Sequence, residues 1–322
     1  MGIALCLRGW RGQGRCRSLS TRTIQRCGQA AASKYDRAFC TSGASDSDTR
    51  SEAVPRRLTC VGLSSWFKIE EEGMKDFELL CRGTGFFLHT TCTQTAQTQD
   101  AKRKKVPKVV LAGSAHVIKP FAFPQYFQEE WLRHVKEEHC KTQLDVFDTE
   151  NGRSVFSYSL PISATHVHRS LDMALLEFPN YSDLEANLGA MGISIDPVTL
   201  RHLREIETDL VRIEGHELVG AAGSAEERVY HVHRDGQISR VTGSRIYAET
   251  DSVCVMGMCG GPALAVAHPG SCIGLLEGVT EVRWAGIAEK DKTAAQSMDG
   301  LSAIIPAEAL LQFIDERFYS QE

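Results

Sequence analysis

From residue 58 onward the sequence predicts an all-β domain, a barrel or a sandwich. Short apolar runs recur along this stretch, and Gly- or polar-rich breaks that signal turns separate them. Helical spacing of apolar residues is confined to three short segments. The first strand is entered through glycines, Arg82-Gly83-Thr84-Gly85-Phe86-Phe87-Leu88. Val109-Val110-Leu111-Ala112 is β-rich and stops at Gly113, and residues 90–108 between the two read as a long polar hairpin loop. Further strands are expected at 155–160, 171–178, 217–219, 229–232, 237–241, 253–256, 263–267, 273–276 and 301–305.

The three helical segments are 125–139, 197–206 and 306–318. The first carries Phe127, Trp131, Leu132 and Val135 among charges. The second puts Leu200, Leu203 and Ile206 on one stripe behind Asp196, a potential N-cap, and Pro197. The third closes the chain with Leu310, Leu311, Phe313 and Ile314.

With 322 residues and 42% hydrophobic residues the chain can bury a sizeable core. A net charge of -5 gives no reason to expect nucleic acid, and Lys102-Arg103-Lys104-Lys105 reads as a solvated loop tip. No run approaches the roughly 20 apolar residues that cross a bilayer, so a soluble protein without a membrane span is expected. Residues 1–33 hold no acidic residue but carry Arg8, Arg11, Arg15, Arg17, Arg22 and Arg26 among Ser, Thr, Ala and Gln. That is transit-peptide composition, and it predicts a mitochondrial address, with a plastid as the alternative. Residues 1–57 are therefore read as transit peptide and disordered linker. The 11 cysteines are irregularly spaced and do not form a disulfide framework; reduced thiols are expected.

Three segments carry chemistry. Gly257-Met258-Cys259-Gly260-Gly261-Pro262 sets a thiol in a glycine turn tight enough for the N–H groups of Gly257 and Cys259 to converge on one oxyanion. Gly113-Ser114-Ala115-His116-Val117 puts an imidazole at a strand end. Asp172-Met173-Ala174-Leu175-Leu176 puts a carboxylate at the start of an apolar run. The order His, Asp, nucleophile is that of the chymotrypsin-type triad.

These blocks resemble the signatures of the chymotrypsin clan, most closely its HtrA/Deg branch. Gly83-Thr84-Gly85-Phe86, Ala115-His116-Val117 and Asp172-Met173-Ala174-Leu175-Leu176 correspond to three blocks of that branch, in order. The glycine turn corresponds to the family's Gly-Asn-Ser-Gly-Gly-Pro, with Cys259 in place of serine. Weaker echoes are Cys272-Ile273-Gly274-Leu275 and Gly300-Leu301-Ser302-Ala303-Ile304-Ile305-Pro306. The resemblance implies a trypsin-like double six-stranded β-barrel over 58–322, with barrels at roughly 58–190 and 210–305 and a C-terminal helix at 306–318. It also implies a peptidase in which His116 is the base, Asp172 orients it, and Cys259 attacks the scissile carbonyl. Gly257 and Cys259 would form the oxyanion hole. Val253 would lie at the floor of the substrate pocket, with Leu275 and Leu276 as a wall, favouring an apolar or small side chain. The partner is a peptide or unfolded protein, and homo-oligomers are common in this branch. No C-terminal PDZ domain is expected after the final helix.

The cysteine leaves a second reading open, a catalytically silent module that binds peptides or partners on the same fold. A third makes Cys259 a redox sensor with Cys254 or Cys272. His166/His168 and His231/His233 could each set two imidazoles on one strand face, and Cys254, Cys259, His268 and Cys272 could gather around zinc. None has standard metal-site spacing. No metal and no cofactor is expected.

Overall fold

The computed structural model describes residues 4–5, 56–90, 109–127, 133–178, 180–220, 224, 226–281 and 296–319. Apart from 4–5 and 56–57, the transit-peptide and linker reading lies outside them, as do the basic run at 102–105 and most of the expected loop at 90–108.

The fold is all-β and trypsin-like, built on two antiparallel sheets. The first contains β3 (Val61–Phe67), β4 (Glu78–His89), β5 (Val109–Gly113), β6 (Cys140–Phe147), β7 (Ser154–Leu160), β8 (Thr165–Val167) and β9 (Ala174–Glu177). Its order is β7-β6-β3-β4-β5-β9-β8. The second contains β12 (Leu210–Val219), β13 (Arg228–Val241), β14 (Ile246–Thr250), β15 (Pro262–Ala265), β16 (Ser271–Glu281) and β17 (Ser302–Pro306). Its order is β16-β15-β12-β13-β14-β17, and pairing of β17 with β16 closes it into a six-stranded barrel. The two-residue strand β1 (Ala4–Leu5) pairs with the end of β16. Two short strands lie between the sheets in sequence. β10 (Ile193–Ile195) pairs in parallel with β2 (Arg56–Leu58), and β11 (Thr199–Leu200) with the start of β16.

Period-two alternation lets the central strands of the first sheet serve two cores. Phe87, Leu111, Ala174 and Leu176 point into the first sheet's own core, with Leu63, Val117 and Leu144. Their neighbours Phe86, Leu88, Val110, Ala112, Met173 and Leu175 point the other way, against Leu200, Leu264, Leu275 and Ile305 of the second half. α3 (Ala307–Ile314) closes that shared core with Leu310, Phe313 and Ile314. Inside the second barrel lie Val211, Ile213, Ala263, Ile273, Leu276 and Ile304.

The C-terminal helix forms where expected, but the other two helices do not. Within 125–139 the described backbone makes 3-10 turns at Pro124–Tyr126 and Glu137–His139; residues 128–132 lie outside the described set. Pro120 and Pro124 each start a separate turn, and Phe127 is already extended. Phe127 and Val135 pack with Phe67 and Leu80. At 197–206 the apolar stripe divides between two cores, Leu200 in the shared one and Ile206 in the second barrel. A helix would present all three residues to one surface. An extended crossing takes its place, with Val198 bridging Leu88 and Arg201 donating to the Cys272 carbonyl at 2.9 Å. The strand expected at 253–256 is an irregular turn, in which the Met258 N–H donates to the Val255 carbonyl at 3.1 Å. Residues 229–232 and 237–241 are two parts of one strand, β13, continuous through Gly236. α2 (Tyr181–Gly189) was not foreseen.

Phe313 is 1% exposed in the shared core. Phe313→Ala is expected to cost about 3–5 kcal/mol in urea unfolding, whereas Val241→Ala, 56% exposed, should stay within about 0.5 kcal/mol. Equal effects would contradict the placement of α3.

Candidate functional site

Strand register brings His116 and Asp172 together. Gly113, the last residue of β5, pairs with Ala174, the first of β9. The strands are antiparallel, so the chain leaving β5 and the chain entering β9 meet at one edge. α1 (Ala115–Ile118) begins just after Gly113 and carries His116. Asp172 sits in a tight turn two residues before Ala174, where the Met173 N–H donates to the Leu171 carbonyl at 2.8 Å.

Both side chains are buried, His116 at 4% exposure and Asp172 at 3%. One carboxylate oxygen accepts from the imidazole Nδ1 at 2.5 Å, and the other accepts the His116 backbone N–H at 2.9 Å. Asp172 thereby fixes both the ring and the backbone of the same residue. With Nδ1–H donating to Asp172, Nε2 is the nitrogen left to take up a proton. The Tyr126 ring stacks on the imidazole with centroids 4.7 Å apart and planes 8° from parallel.

His168 holds the Asp172 turn from behind. Its Nδ1 accepts the N–H groups of Ser170 and Leu171 at 3.2 and 3.0 Å, and its own N–H donates to the Met173 carbonyl at 3.0 Å. Burial lowers its pKa, consistent with a neutral ring that has a lone pair to offer. His166 does something else, pairing with Glu177 at 3.1 Å.

Cys259 comes from the second barrel. Gly257 and Gly260 adopt φ of +97° and +89°, a region that favours glycine. A Cβ on Gly257 would lie 2.5 Å from the His216 carbonyl oxygen, and one on Gly260 would lie 2.6 Å from the Ser114 nitrogen. The turn is thus pressed against the segment that leads into His116. Thr84 of β4 pins it on both sides of the cysteine. The Thr84 N–H donates to the Cys259 carbonyl at 2.9 Å, and its hydroxyl donates to the Gly257 carbonyl at 2.6 Å. The same hydroxyl accepts the His216 N–H at 3.1 Å. Among the described residues, the N–H groups of Met258, Gly260 and Gly261 each donate to a backbone carbonyl. Those of Gly257 and Cys259 do not, apart from a local contact between the Cys259 amide and its own sulfur.

Burial pushes the Cys259 thiol up to about 12, and the negative charge of Asp172 adds to the rise. That shift favours a protonated sulfur at neutral pH. Glu277 of β16 is a further buried carboxylate at this site, which the sequence reading passed over. Its two oxygens accept from Arg245, one of them from Nη2 at 2.7 Å, and the pair is almost wholly enclosed. Burial raises its pKa against the opposing pull of Arg245, and the charge of Asp172 adds a smaller upward push. The available signal was a glutamate inside an otherwise apolar strand. Thr84 was read as part of a motif, with no role assigned.

The expected substrate-pocket residues do not line an opening together. Val253 is 58% exposed, while Leu275 and Leu276 are fully buried, in the shared core and the second-barrel core respectively. Consecutive strand residues face opposite sides, so the two could not form one wall. The inward side chain before the nucleophile turn is Cys254, with its sulfur 3.3 Å from the Ser302 hydroxyl. Cys254 and Cys272 are both buried free thiols, and no disulfide joins either to Cys259.

No family model matches this chain, and no curated protein matches it significantly.

Thr84→Val keeps the side-chain shape but strands the Gly257 carbonyl and the His216 N–H in a buried setting. A loss of roughly 1–3 kcal/mol is expected in urea titration, with Thr84→Ser close to the parent. A neutral valine variant would mean that the hydroxyl does not hold the turn.

Proposed function

We propose that this chain is a peptidase that cleaves peptide bonds through a covalent thioester on Cys259. The observation that carries the reading is the His116–Asp172 clamp, set beside a glycine turn in which the Gly257 and Cys259 amides donate to no backbone carbonyl. In the proposed reaction the Cys259 sulfur attacks the scissile carbonyl carbon while its proton passes to Nε2 of His116. The carbonyl π pair moves onto oxygen, where the N–H groups of Gly257 and Cys259 receive it. Collapse of the tetrahedral intermediate expels the amine, which takes the proton from His116. Water then attacks the thioester by the same route, giving the acid and the free thiol.

Asp172 contributes by fixing the Nδ1–H tautomer and by offsetting the charge of the transient imidazolium. The floor suggested by Cys254 and Ser302 holds no charge, which favours a small or apolar side chain next to the cut. The arginine-rich, acid-poor start of the chain supports a mitochondrial setting. The elevated thiol favours a second reading, a module on the same fold that holds a peptide without turning it over.

A peptide bearing an electrophilic ketone separates the two. On the peptidase reading it labels Cys259, and His116→Ala slows labelling and peptide hydrolysis by roughly 10²–10⁴-fold. Labelling that ignores His116 would leave the binding module. Simple alkylation by iodoacetamide tests the resting state. With the thiol at about 12, the reactive thiolate increases tenfold per pH unit. The Cys259 rate should therefore climb from pH 7 to pH 10 without a plateau. A flat rate near neutrality would reveal a preformed thiolate–imidazolium pair and contradict the neutral resting thiol.

A further inference from the structure

On the strand pair that backs the nucleophile turn, the fold gathers three metal-ligating side chains of different chemistry. The Cys60 sulfur, a Glu214 carboxylate oxygen and an imidazole nitrogen of His231 all lie within 4.8 Å of one another. They come from distant parts of the chain. Cys60 lies in the turn between β2 and β3, Glu214 is in the middle of β12, and His231 is on β13. In the β12–β13 ladder Glu214 is opposite His233, and His216 is opposite His231. Glu214 and His231 are therefore diagonal neighbours on one face, within reach of long side chains. Cys60, 1% exposed, closes the group from the first sheet's side.

We propose that Cys60, Glu214 and His231 bind a zinc ion, with water as the fourth ligand. Sulfur, imidazole nitrogen and carboxylate oxygen are the donor set that zinc takes. Zinc–ligand bonds of about 2.0–2.3 Å at tetrahedral angles place ligand atoms about 3.3–3.8 Å apart. Small side-chain rotations close the observed spacing to that range. Second-sphere support is present. The Thr59 hydroxyl donates to Glu214 Oε2, and the same oxygen is 3.5 Å from His231 Nε2. Charge also favours the ion. Arg212 is engaged by Asp235 at 2.7 and 2.9 Å. A dication balances the Glu214 carboxylate and a Cys60 thiolate to zero. In binding, the thiol loses its proton to solvent, the sulfur–zinc bond forms, and neutral His231 donates a lone pair. The ion would tie the approach to β3 to the β12–β13 ladder, giving it a structural role separate from the peptidase proposal.

The test uses the full chain carrying Cys259→Ser, so that the candidate nucleophile cannot compete for metal. It is freed of metal by chelation and titrated with Co²⁺ as a spectroscopic stand-in. One equivalent is expected to bind, with a thiolate-to-cobalt charge-transfer band that Zn²⁺ displaces. Adding Cys60→Ser should abolish the band, and adding His231→Ala should weaken binding at least tenfold. Circular dichroism confirms that each variant is folded, and the partly exposed His231 provides a change that spares the core. No thiolate band, or a band that survives Cys60→Ser, would overturn the assignment.

Discussion

The candidate chemistry depends on one buried hydroxyl. His116 and Asp172 belong to the first sheet, Cys259 belongs to the second barrel, and Thr84 is where the two are fastened. Its polar contacts use the donor and the acceptor capacity of the hydroxyl together with the backbone amide. The bonds to the Gly257 and Cys259 carbonyls stop the 257–260 turn from sliding along β4, and the bond from the His216 N–H ties β12 to the same point. Hydrogen bonds are directional, so they fix register where the apolar shared core around Phe86, Leu275 and Phe313 supplies only adhesion. The glycines of the turn follow from this closeness. Any side chain at Gly260 would push the turn off Ser114 and separate the cysteine from the helix that carries the imidazole.

Charge at the site follows a similar economy of partners. Asp172 and Glu277 are both buried, and each has its oxygens occupied, by His116 and by Arg245 respectively. An enclosed ion pair such as Arg245–Glu277 adds little net stability, because desolvation offsets most of the attraction. Removing one partner alone typically costs about 3–5 kcal/mol. The pair's value here lies in geometry. Arg245 enters from the start of β14 and Glu277 from β16, so their bond tethers two strands of the closed barrel beside the site. His168 completes the pattern on the other side, holding the Asp172 turn through two backbone amides.

Much of this fold was legible in the sequence because its signals are local. Continuous apolar runs marked β5 and β9, and the glycine cluster marked the nucleophile turn. The motif blocks around His116 and Asp172 lie at the ends of paired strands, so a short stretch of chain encoded each half of the clamp. Failures came where one segment serves two surroundings. The Leu200, Leu203, Ile206 stripe mimicked a helix because it feeds two cores in turn. Leu275 and Leu276 looked like a wall because adjacency in sequence was taken for adjacency in space. Thr84, Glu277 and the Cys60–Glu214–His231 group lay beyond reach for another reason. Their meaning arises from the ladder register and from contacts between residues more than 100 positions apart, or from a partner such as Arg245 that no local pattern indicates.

On the peptidase reading, sulfur in place of oxygen fits this electrostatic setting better than the raised thiol first implies. Asp172 opposes a thiolate on Cys259 and holds Nδ1 of His116. A stable ion pair at rest would need the thiolate to persist against that field. A concerted transfer has no such need. As the proton reaches Nε2, negative charge passes from sulfur to the carbonyl oxygen and towards the two amides of the turn. The carboxylate then stabilises the cation that forms, while the anion meets the amide donors of the turn. The neutral resting thiol is thus compatible with turnover, provided that the amides of Gly257 and Cys259 stay free to receive the oxyanion. Thr84 holds that condition in place from the opposite sheet, through the Gly257 and Cys259 carbonyls.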